Sequence, residues 1–320
     1  MTAPRTSVLL LGAGFSANFG GFLANEMPGK LLACPQFDDE LRELLHSYDN
    51  RGGFEAALGD LQTEARDAGR PTPRLLQFLG ALRSVFDLMN REYKNVPFEW
   101  QNDRAFRLGT FLTRFDAIFS LNQDTLLEQH YLNDNVGLES AMRWSGPCLP
   151  GMVPNGPAPL FEGRFLGPWQ PAAPPYSVPP RMQPYFKLHG STNWHVAGSD
   201  EIMVLGTGKP GIIERFPVLA WYFQQFRQYL ARPNVRLMTI GYGFADDHIN
   251  EAIASAALGN EPRLWIVGPS GMKTLNRLGE HQRDLMRALR LKVIGESTRN
   301  LSALFGDDRV GHADLMRFFS

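Results

Sequence analysis

The sequence lacks several features that would place it in common protein classes. It has two cysteines, Cys34 and Cys148, and so few cannot build a zinc site from paired Cys-x-x-Cys motifs. Lysine plus arginine number 32 and aspartate plus glutamate number 33, which argues against a protein built mainly to hold nucleic acid. No run of about 18 or more apolar residues occurs, so we expect no membrane span.

Familiar catalytic motifs are also missing. The chain has no G-x-S-x-G, no P-loop and no H-E-x-x-H sequence. Its seven histidines show no metal-ligand spacing with cysteines or carboxylates, so we predict no bound metal. The first residues lead straight into a strand-like run without a signal-peptide pattern, and the few cysteines suit a reducing compartment, so we expect a cytoplasmic protein.

What the sequence does contain is a series of short apolar runs, each ending in a small or polar cluster. The clearest runs begin at Ser7, Ala117, Arg236 and Arg263, and helix-like segments separate them. Uninterrupted apolar strands suit the buried middle of a parallel sheet. We therefore predict an α/β fold with a Rossmann-like, doubly wound parallel sheet and a helical insertion or second, smaller subdomain. In such a sheet, ligands bind at the carboxyl ends of the strands.

The predicted domain organisation follows from helix periodicity and from proline. Residues 1–275 are expected to form one domain, in which about 30–114 is a helical insertion. Residues 276–320 are expected to form a C-terminal helical extension with one strand. The segment 147–184 holds twelve of the 23 prolines, which should exclude a helix or a central strand, and its aromatics favour a long loop packed over the surface.

The first strand runs into Gly12-Ala13-Gly14-Phe15-Ser16, where a helix is predicted to begin. Glycines at such a turn let the backbone approach a phosphate, and the start of a helix offers unpaired N–H groups. The full G-x-G-x-x-G spacing is not met. A tight strand–helix turn with no ligand explains these glycines equally well.

Polar residues also follow two other strands. Asn122 and Asp124 lie two apart, so both can reach one ligand, although an N-cap for the next helix is the interpretation of Asp124 that its position alone favours. His189 lies at a strand end, where an imidazole can act as a general base, but a lone histidine there is more often a turn residue. Three other histidines are weaker candidates: His130, His195 and His248.

Taken together in chain order, five segments resemble the sirtuin-like NADase domain family of bacterial anti-phage defence proteins. They are GAGFS at 12–16, FSLNQDTLLE at 119–128, KLHGSTNW at 187–194, VLGTGK at 204–209 and IGYGFADDHIN at 240–250. The most specific pair is KLHGS with N-x-D.

The resemblance implies roles for individual residues. Asn122 and His189 match the catalytic pair, and Asp124 matches the contact to the cofactor amide. The implied pyrophosphate and ribose loop comprises Gly12, Ala13, Gly14, Phe15 and Ser16. Gly241 and Ser270 are implied to lie near the adenosine half of NAD+.

The resemblance also implies an activity. NAD+ would be the substrate of a hydrolase (NADase) that cleaves the nicotinamide–ribose bond to nicotinamide and ADP-ribose, and NAD+ depletion would serve anti-phage defence. Such an activity must be gated. Only about 50 residues lie beyond the resemblance, too few for a sensor domain of ordinary size. The implied switch is a homo-oligomer or a partner protein, such as a HerA-type ATPase or an Argonaute-type sensor.

Two alternatives stay open at this point. An NAD-dependent protein deacylase is the nearer one, but deacylases carry Gly-Ile-Pro-Asp-Phe-Arg after the glycine loop and usually a four-cysteine zinc module. Here the chain continues Gly20-Gly21-Phe22 and has two cysteines. The other alternative is a non-catalytic module that senses NAD+ or ADP-ribose. Retention of Asn122, Asp124 and His189 argues against it, because a sensor needs no base.

Overall fold

The molecule is built on one large parallel sheet. The computed structural model describes residues 5–49, 51–132, 135–156, 160–161, 164–165, 167–196, 201–259, 262–277 and 283–320. In chain order the strands are β1 (Thr6–Leu11), β2 (Ala117–Ser120), β3 (Gly146–Cys148), β4 (Met152–Pro154), β5 (Leu160–Phe161), β6 (Arg164–Phe165), β7 (Trp169–Pro171), β8 (Met182–Lys187), β9 (Gly190–His195), β10 (Glu201–Met203), β11 (Val235–Ile240), β12 (Arg263–Val267) and β13 (Val293–Ser297). Seven of them form one sheet in the order β13-β12-β11-β1-β2-β8-β3, with every neighbouring pair parallel. The predicted Rossmann-like sheet is confirmed.

The direction of winding reverses at β1. From β1 the chain places β2 and then β8 on one side, and it then returns to place β11, β12 and β13 on the other. This is the doubly wound order of dinucleotide-binding folds, in which a crevice opens at the carboxyl ends of the strands where the order reverses. The turns after β1 and β11 therefore occupy the position at which such sheets bind ligands.

Apolar sequence runs form these strands because both faces of the sheet are covered. All six residues of β1 are buried. One covering helix spans Pro217–Leu230, and it places the Phe226 ring 4.9 Å from the ring of Phe119 in β2. On the neighbouring strand β8, the Phe186 ring stacks on the Phe119 ring at 4.9 Å and contacts the same helix through Tyr222 at 5.0 Å.

The helices, numbered in chain order, cover most of residues 30–114, as predicted. They are α1 (Ala13–Ala17), α2 (Met27–Leu32), α3 (Asp39–Ser47), α4 (Gly53–Asp67), α5 (Pro73–Glu92), α6 (Leu108–Leu112), α7 (Leu126–His130), α8 (Asn135–Glu139), α9 (Lys209–Arg215), α10 (Pro217–Leu230), α11 (Asp247–Gly259), α12 (Arg283–Arg290), α13 (Leu301–Leu304) and α14 (Arg309–Met316), with 3-10 turns at Tyr93–Asn95, Arg104–Phe106, Gly271–Arg277 and Arg317–Phe319. Side-chain caps begin two of the longer ones: Asp38 accepts from Leu41 N before α3, and Thr72 accepts from Leu75 N before α5.

The proline-rich segment contributes short strands instead of a featureless loop. Strands β4 and β7 join β9 and β10 in a small sheet ordered β10-β9-β7-β4, while β5 pairs with β6. The described residues of 147–184 contain no helix, as predicted, but the exclusion of a central strand is wrong for its last residues. There β8 pairs with β3 through Met182–Pro184 and with β2 only from Tyr185 onward, so Pro184 lies where β8 has one neighbour instead of two.

The C-terminal residues join the same sheet. Strand β13 pairs with β12 as the outermost strand on its side. Phe305 and Phe318 are fully buried, and Arg236 of β11 donates a hydrogen bond to the Phe318 carbonyl at 2.5 Å. The segment predicted to be a helical extension with one strand therefore adds its strand to the main sheet and supplies part of the core. Among the described residues, no helix is long and apolar enough to cross a membrane.

Candidate active site at the carboxyl ends of the strands

The turns after four neighbouring strands start at the same level. Leu11 of β1 pairs with Ile240 of β11 and with Ser120 of β2, and Ser120 pairs with Lys187 of β8. Because all these strands are parallel, the residues that follow them lie at one edge of the sheet. Four predicted site residues are placed there in this way: Gly12, Asn122, His189 and Gly241.

The glycines at this edge hold two turns in backbone contact. Gly12 N donates to the carbonyl of Ile240 and Gly14 N to that of Gly241, both at 3.0 Å. A Cβ on Gly12 would lie 2.6 Å from Gly241 O, and one on Gly14 would lie 2.7 Å from Gly241 Cα. Gly241 itself has a φ of +66°. Close packing of the turns is thus sufficient reason for these glycines, and phosphate binding stays a prediction.

The rest of the glycine turn is partly engaged within the protein. Phe15 N donates to Gly12 O at 2.8 Å, so the N–H groups of Gly12, Gly14 and Phe15 are all in use. Phe15 and Ser16 are buried, whereas Ala13 is exposed at the start of α1. A phosphate at this turn would therefore meet groups other than those three N–H donors.

Asn122 is buried against the same turn. Its Nδ2 donates to Gly12 O at 3.1 Å and to Ser16 Oγ at 3.0 Å, while its backbone N–H donates to Ser120 Oγ. Both hydrogens of the amide are therefore engaged, and Oδ1 is the atom of this side chain suited to accept a hydrogen bond from a ligand. Asn122 thus joins the β2 turn to the β1 turn.

Asp124 is not the N-cap that its position favoured, because the N-cap residue of α7 is Thr125, which makes no side-chain cap bond. Its Oδ1 accepts from Leu126 N at 3.1 Å, where α7 begins, and the side chain is buried. This bond to the backbone two residues further on fixes the carboxylate beside Asn122 in the same loop. Contact with a ligand amide, which would use the second carboxylate oxygen, stays a prediction.

His189 is buried and faces a second histidine. Its Nε2 lies 3.1 Å from Nε2 of His248, so one ring donates and the other accepts. Burial lowers the pKa of His189 to about 3; Lys209 and His248 also lower it, while the Asp246 carboxylate acts to raise it. Burial likewise lowers the pKa of His248. Both imidazoles are therefore neutral at neutral pH.

Asp246 and Lys209 complete this cluster. Lys209 Nζ lies 2.6 Å from Asp246 Oδ1 and 2.8 Å from Glu55 Oε2. Burial would lower the pKa of Lys209, but Asp246 and Glu55 outweigh it and raise that pKa, so the lysine stays charged. The helical segment thus reaches the site through Glu55 of α4.

Three of these residues could hold a metal ion. The ligand atoms of His189, Asp246 and His248 lie within 4.8 Å of one another. Neutral imidazoles and a carboxylate are suitable ligands, although the Lys209 ammonium places a positive charge beside them. Sequence spacing did not reveal the group because His189 and His248 are 59 residues apart.

A buried ion pair, not predicted from the sequence, ties two of the motifs together. Lys187 Nζ lies 2.5 Å from Glu128 Oε1, and both side chains are fully buried. The ammonium also donates to Asp124 O at 2.5 Å and to Ser191 Oγ at 2.7 Å. Burial raises the pKa of Glu128, and Lys187 opposes that rise. The pair thereby fixes the loop of Asn122 and Asp124 to the strand end that carries His189.

The remaining predicted residues, Gly241 and Ser270, follow β11 and β12, on the opposite side of β1 from Asn122 and His189. Gly241 N donates to Val267 O at 2.8 Å, which joins the turn after β11 to the end of β12. Ser270 is exposed in the turn that follows β12. The structure therefore places Gly241 against the glycine turn and Ser270 one strand further along the edge.

Comparison with known families bears on this arrangement. A family model described as SIR2-like domain matches residues 116–294, more than half of the chain. The chain belongs to the SIR2-like domain family. No curated protein matches the chain.

The SIR2-like match covers most of the candidate site. Asn122, Asp124, His189, Gly241 and Ser270 lie within the matched residues, whereas the glycine turn at 12–16 precedes them. SIR2-like domains use NAD+, so membership indicates an NAD-related activity. Strand β1, which leads into the turn at 12–16, pairs with β11 and with β2 of the matched region, and this pairing holds the turn beside the matched site residues.

Proposed function

We propose that this protein is an NAD+ hydrolase that cleaves the nicotinamide–ribose bond, releasing nicotinamide and ADP-ribose. The observation that carries the proposal is the placement of Asn122 and His189. Each lies two residues beyond a paired strand end, Ser120 or Lys187, and both are buried at the edge where the winding of the sheet reverses. A neutral amide and an imidazole at a shared edge suit attack on an N-glycosidic bond.

The proposed roles follow from the chemistry of the bond. Its cleavage develops positive charge on the ribose, as in glycoside hydrolysis, and nicotinamide leaves without a strong acid. Asn122 can accept a hydrogen bond from water or a ribose hydroxyl through Oδ1 without adding cationic charge. Asp124 can accept from the nicotinamide amide through the carboxylate oxygen that is not bonded to Leu126 N.

His189 is the proposed general base. Burial keeps its imidazole neutral. The proposed role requires the tautomer in which His189 Nε2 donates to His248 Nε2, because Nδ1 is then unprotonated and can accept a proton from a water or a ribose hydroxyl. The proton that it accepts creates an imidazolium, which the nearby Asp246 carboxylate stabilises, since that charge raises the pKa of His189. General bases contribute about 10²–10⁴-fold in rate when their pKa lies near the working pH, so the low pKa of His189 puts its contribution at or below the lower end of that range.

The glycine turn is proposed to bind the pyrophosphate and ribose. The support is its place beside β11 at the point of strand reversal, together with the exposed Ala13 at its tip. Phe15 and Ser16 would line the inner side of this loop, and Gly241 and Ser270 would lie near the adenosine half. The phosphates would accept hydrogen bonds from N–H groups other than those of Gly12, Gly14 and Phe15, which are already bonded within the protein.

We further propose that the activity is gated and serves anti-phage defence by NAD+ depletion. The support is that an unrestrained NAD+ hydrolase would exhaust its own host. Self-assembly or a partner protein, such as a HerA-type ATPase or an Argonaute-type sensor, would provide the switch. Co-purification with the products of neighbouring genes tests this step, and full activity of the isolated monomer would contradict it.

The hydrolase proposal is tested by NAD+ consumption, with nicotinamide and ADP-ribose quantified by chromatography. The protein, in its activated assembly, should consume NAD+ without any acylated peptide. Asn122→Ala and His189→Ala should each abolish turnover, whereas His46→Ala, on the exposed face of α3, should not. Turnover that needs an acyl-lysine peptide would assign a deacylase instead, and NAD+ binding without turnover in any assembly would assign a sensor.

A further inference from the structure

Two histidines and one carboxylate of the candidate site form a ligand set of the kind that holds zinc. The ligand atoms of His189, Asp246 and His248 all lie within 4.8 Å of one another. Three protein ligands of this type, with a further position left for water, are the usual composition of an open zinc site. Both imidazoles are neutral, as metal ligation requires. The chemistry of the set therefore suits a divalent transition-metal ion.

The distance between the two rings fits a shared ion. His189 Nε2 and His248 Nε2 lie 3.1 Å apart. Two nitrogens bound to one tetrahedral zinc lie about 3.3–3.4 Å from each other, so the rings need to part by only about 0.3 Å. The Asp246 oxygen has to approach them by no more than about 1.5 Å. Zinc has no geometric preference of its own, so it tolerates a set that closes by such small movements.

The backbone that carries the three ligands is fixed by hydrogen bonds of its own. The carbonyl of His189 accepts from Val204 N at 2.9 Å. The carbonyl of Asp246 accepts from Asn250 N at 3.0 Å, at the start of α11. Asp246 and His248 are only partly buried, so an ion has an entry path from solvent. The ligand set is therefore both arranged in advance and accessible.

Lys209 is the feature that opposes an ion at this position. Its ammonium lies 2.6 Å from Asp246 Oδ1. The same ammonium lies 2.8 Å from Glu55 Oε2, so a second carboxylate retains it when an ion takes Asp246. The lysine therefore weakens metal binding without preventing it. Its removal should strengthen binding, because the ion then no longer competes with an ammonium for one carboxylate.

We propose that His189, Asp246 and His248 form a zinc site that switches the candidate active site off. The ion takes the Nε2 lone pairs of both rings in place of the hydrogen bond between them. The ring proton of His189 then resides on Nδ1, so this nitrogen no longer accepts a proton from a water or a ribose hydroxyl. This regulatory role rests on the proposed NAD+ hydrolysis, whereas the binding of zinc does not.

Calorimetric titration of the chelator-treated full chain with Zn²⁺ tests the proposal, and the visible absorption of Co²⁺ reports on coordination. We expect one ion per chain with a dissociation constant below about 10 μM. His248→Ala and Asp246→Asn should each weaken binding at least about tenfold. Lys209→Met should tighten it at least about threefold, a gain that misfolding cannot produce. The matched control is His46→Ala, which removes an exposed histidine of α3 and should leave binding unchanged.

Turnover of NAD+ tests the regulatory role separately from zinc binding. It should fall with zinc over the concentration range of the calorimetric binding and return after chelation. The proposal is overturned if zinc binds more weakly than about 10 μM, if binding survives both His248→Ala and Asp246→Asn, or if turnover is unchanged at saturating zinc. A protein that binds zinc through these residues but never hydrolyses NAD+ would contradict the proposed function and the regulatory role with it, while confirming the zinc site.

Discussion

Replacing Lys187 by methionine is the most direct test of how the site is held together. The change keeps an unbranched side chain of similar length but leaves the Glu128 carboxylate buried without its cation. Removing one partner of a buried ion pair costs about 3–5 kcal/mol of unfolding free energy. The same substitution leaves Asp124 O and Ser191 Oγ without this donor.

The expected loss depends on pH, because Glu128 can take up a proton instead of staying charged. Its ordinary pKa is 4.5, so protonation costs about 3.4 kcal/mol at pH 7 and about 0.7 kcal/mol at pH 5, at about 1.4 kcal/mol per pH unit. Lys187→Met should therefore be strongly destabilised at pH 7 and much closer to the parent protein at pH 5. A simple loss of packing would be the same at both values.

Urea unfolding followed by tryptophan fluorescence at the two pH values measures this difference. The double variant Lys187→Met/Glu128→Leu should recover all but about 1 kcal/mol, since no charge is then buried and one backbone acceptor still lacks a donor. Lys273→Met, at an exposed position, should change stability by less than about 0.5 kcal/mol. A pH-independent loss, or one below about 1 kcal/mol at pH 7, would refute a buried charged pair.

Three further predictions concern the neighbouring turns. Gly241→Ala should lower the free energy of unfolding by more than about 2 kcal/mol in a thermal unfolding assay, because φ is +66° and the new Cβ would lie 2.2 Å from a backbone nitrogen. The control is Gly211→Ala, on α9 with open space around it, which should be neutral or stabilising by up to about 1 kcal/mol. Equal effects of the two substitutions would contradict the packing argument. Lowering the pH from 7 to 5 should reduce the free energy of unfolding by about 2 kcal/mol through His189, because an unfolded histidine of pKa 6.5 takes up a proton that the buried ring, with a pKa of about 3, does not. In urea titrations, His189→Phe should lack this part of the pH dependence. An unaltered dependence would show that the ring is not buried and neutral. Lys209→Met should raise the pKa of His189, since it removes a positive charge that lowers this pKa and leaves the Asp246 carboxylate, which raises it. NMR titration of the imidazole protons records the direction, and a fall would disprove the arrangement.

Strand ends were predictable from the sequence because buried parallel strands are uninterrupted apolar runs. The predicted runs ending at Leu11, Leu121 and Ile240 place Gly12, Asn122 and Gly241 at one edge as soon as the strands are taken to be parallel. The order of the strands in the sheet was the only further information needed to place these three residues together. The helical content of 30–114 followed in the same way from spacings of three and four.

Long-range partners were not predictable, because nothing local marks them. Lys187 and Glu128 look like ordinary charged residues until folding buries both, and His248 stands out only beside His189. The start of β8 was missed because Pro184 normally ends a central strand, and only the staggered pairing of β8 with β3 and β2 makes room for it.

The contact between the turns after β1 and β11 also has a consequence for how the sequence can change. Gly12, Gly14 and Gly241 exclude one another's side chains, although 227 to 229 residues separate the first two from the third. No single replacement at one of them can be compensated at another, because each gap is already filled by backbone. In a library of random variants selected for folding, each of the three positions should therefore stay glycine on its own account, whatever ligand this edge binds.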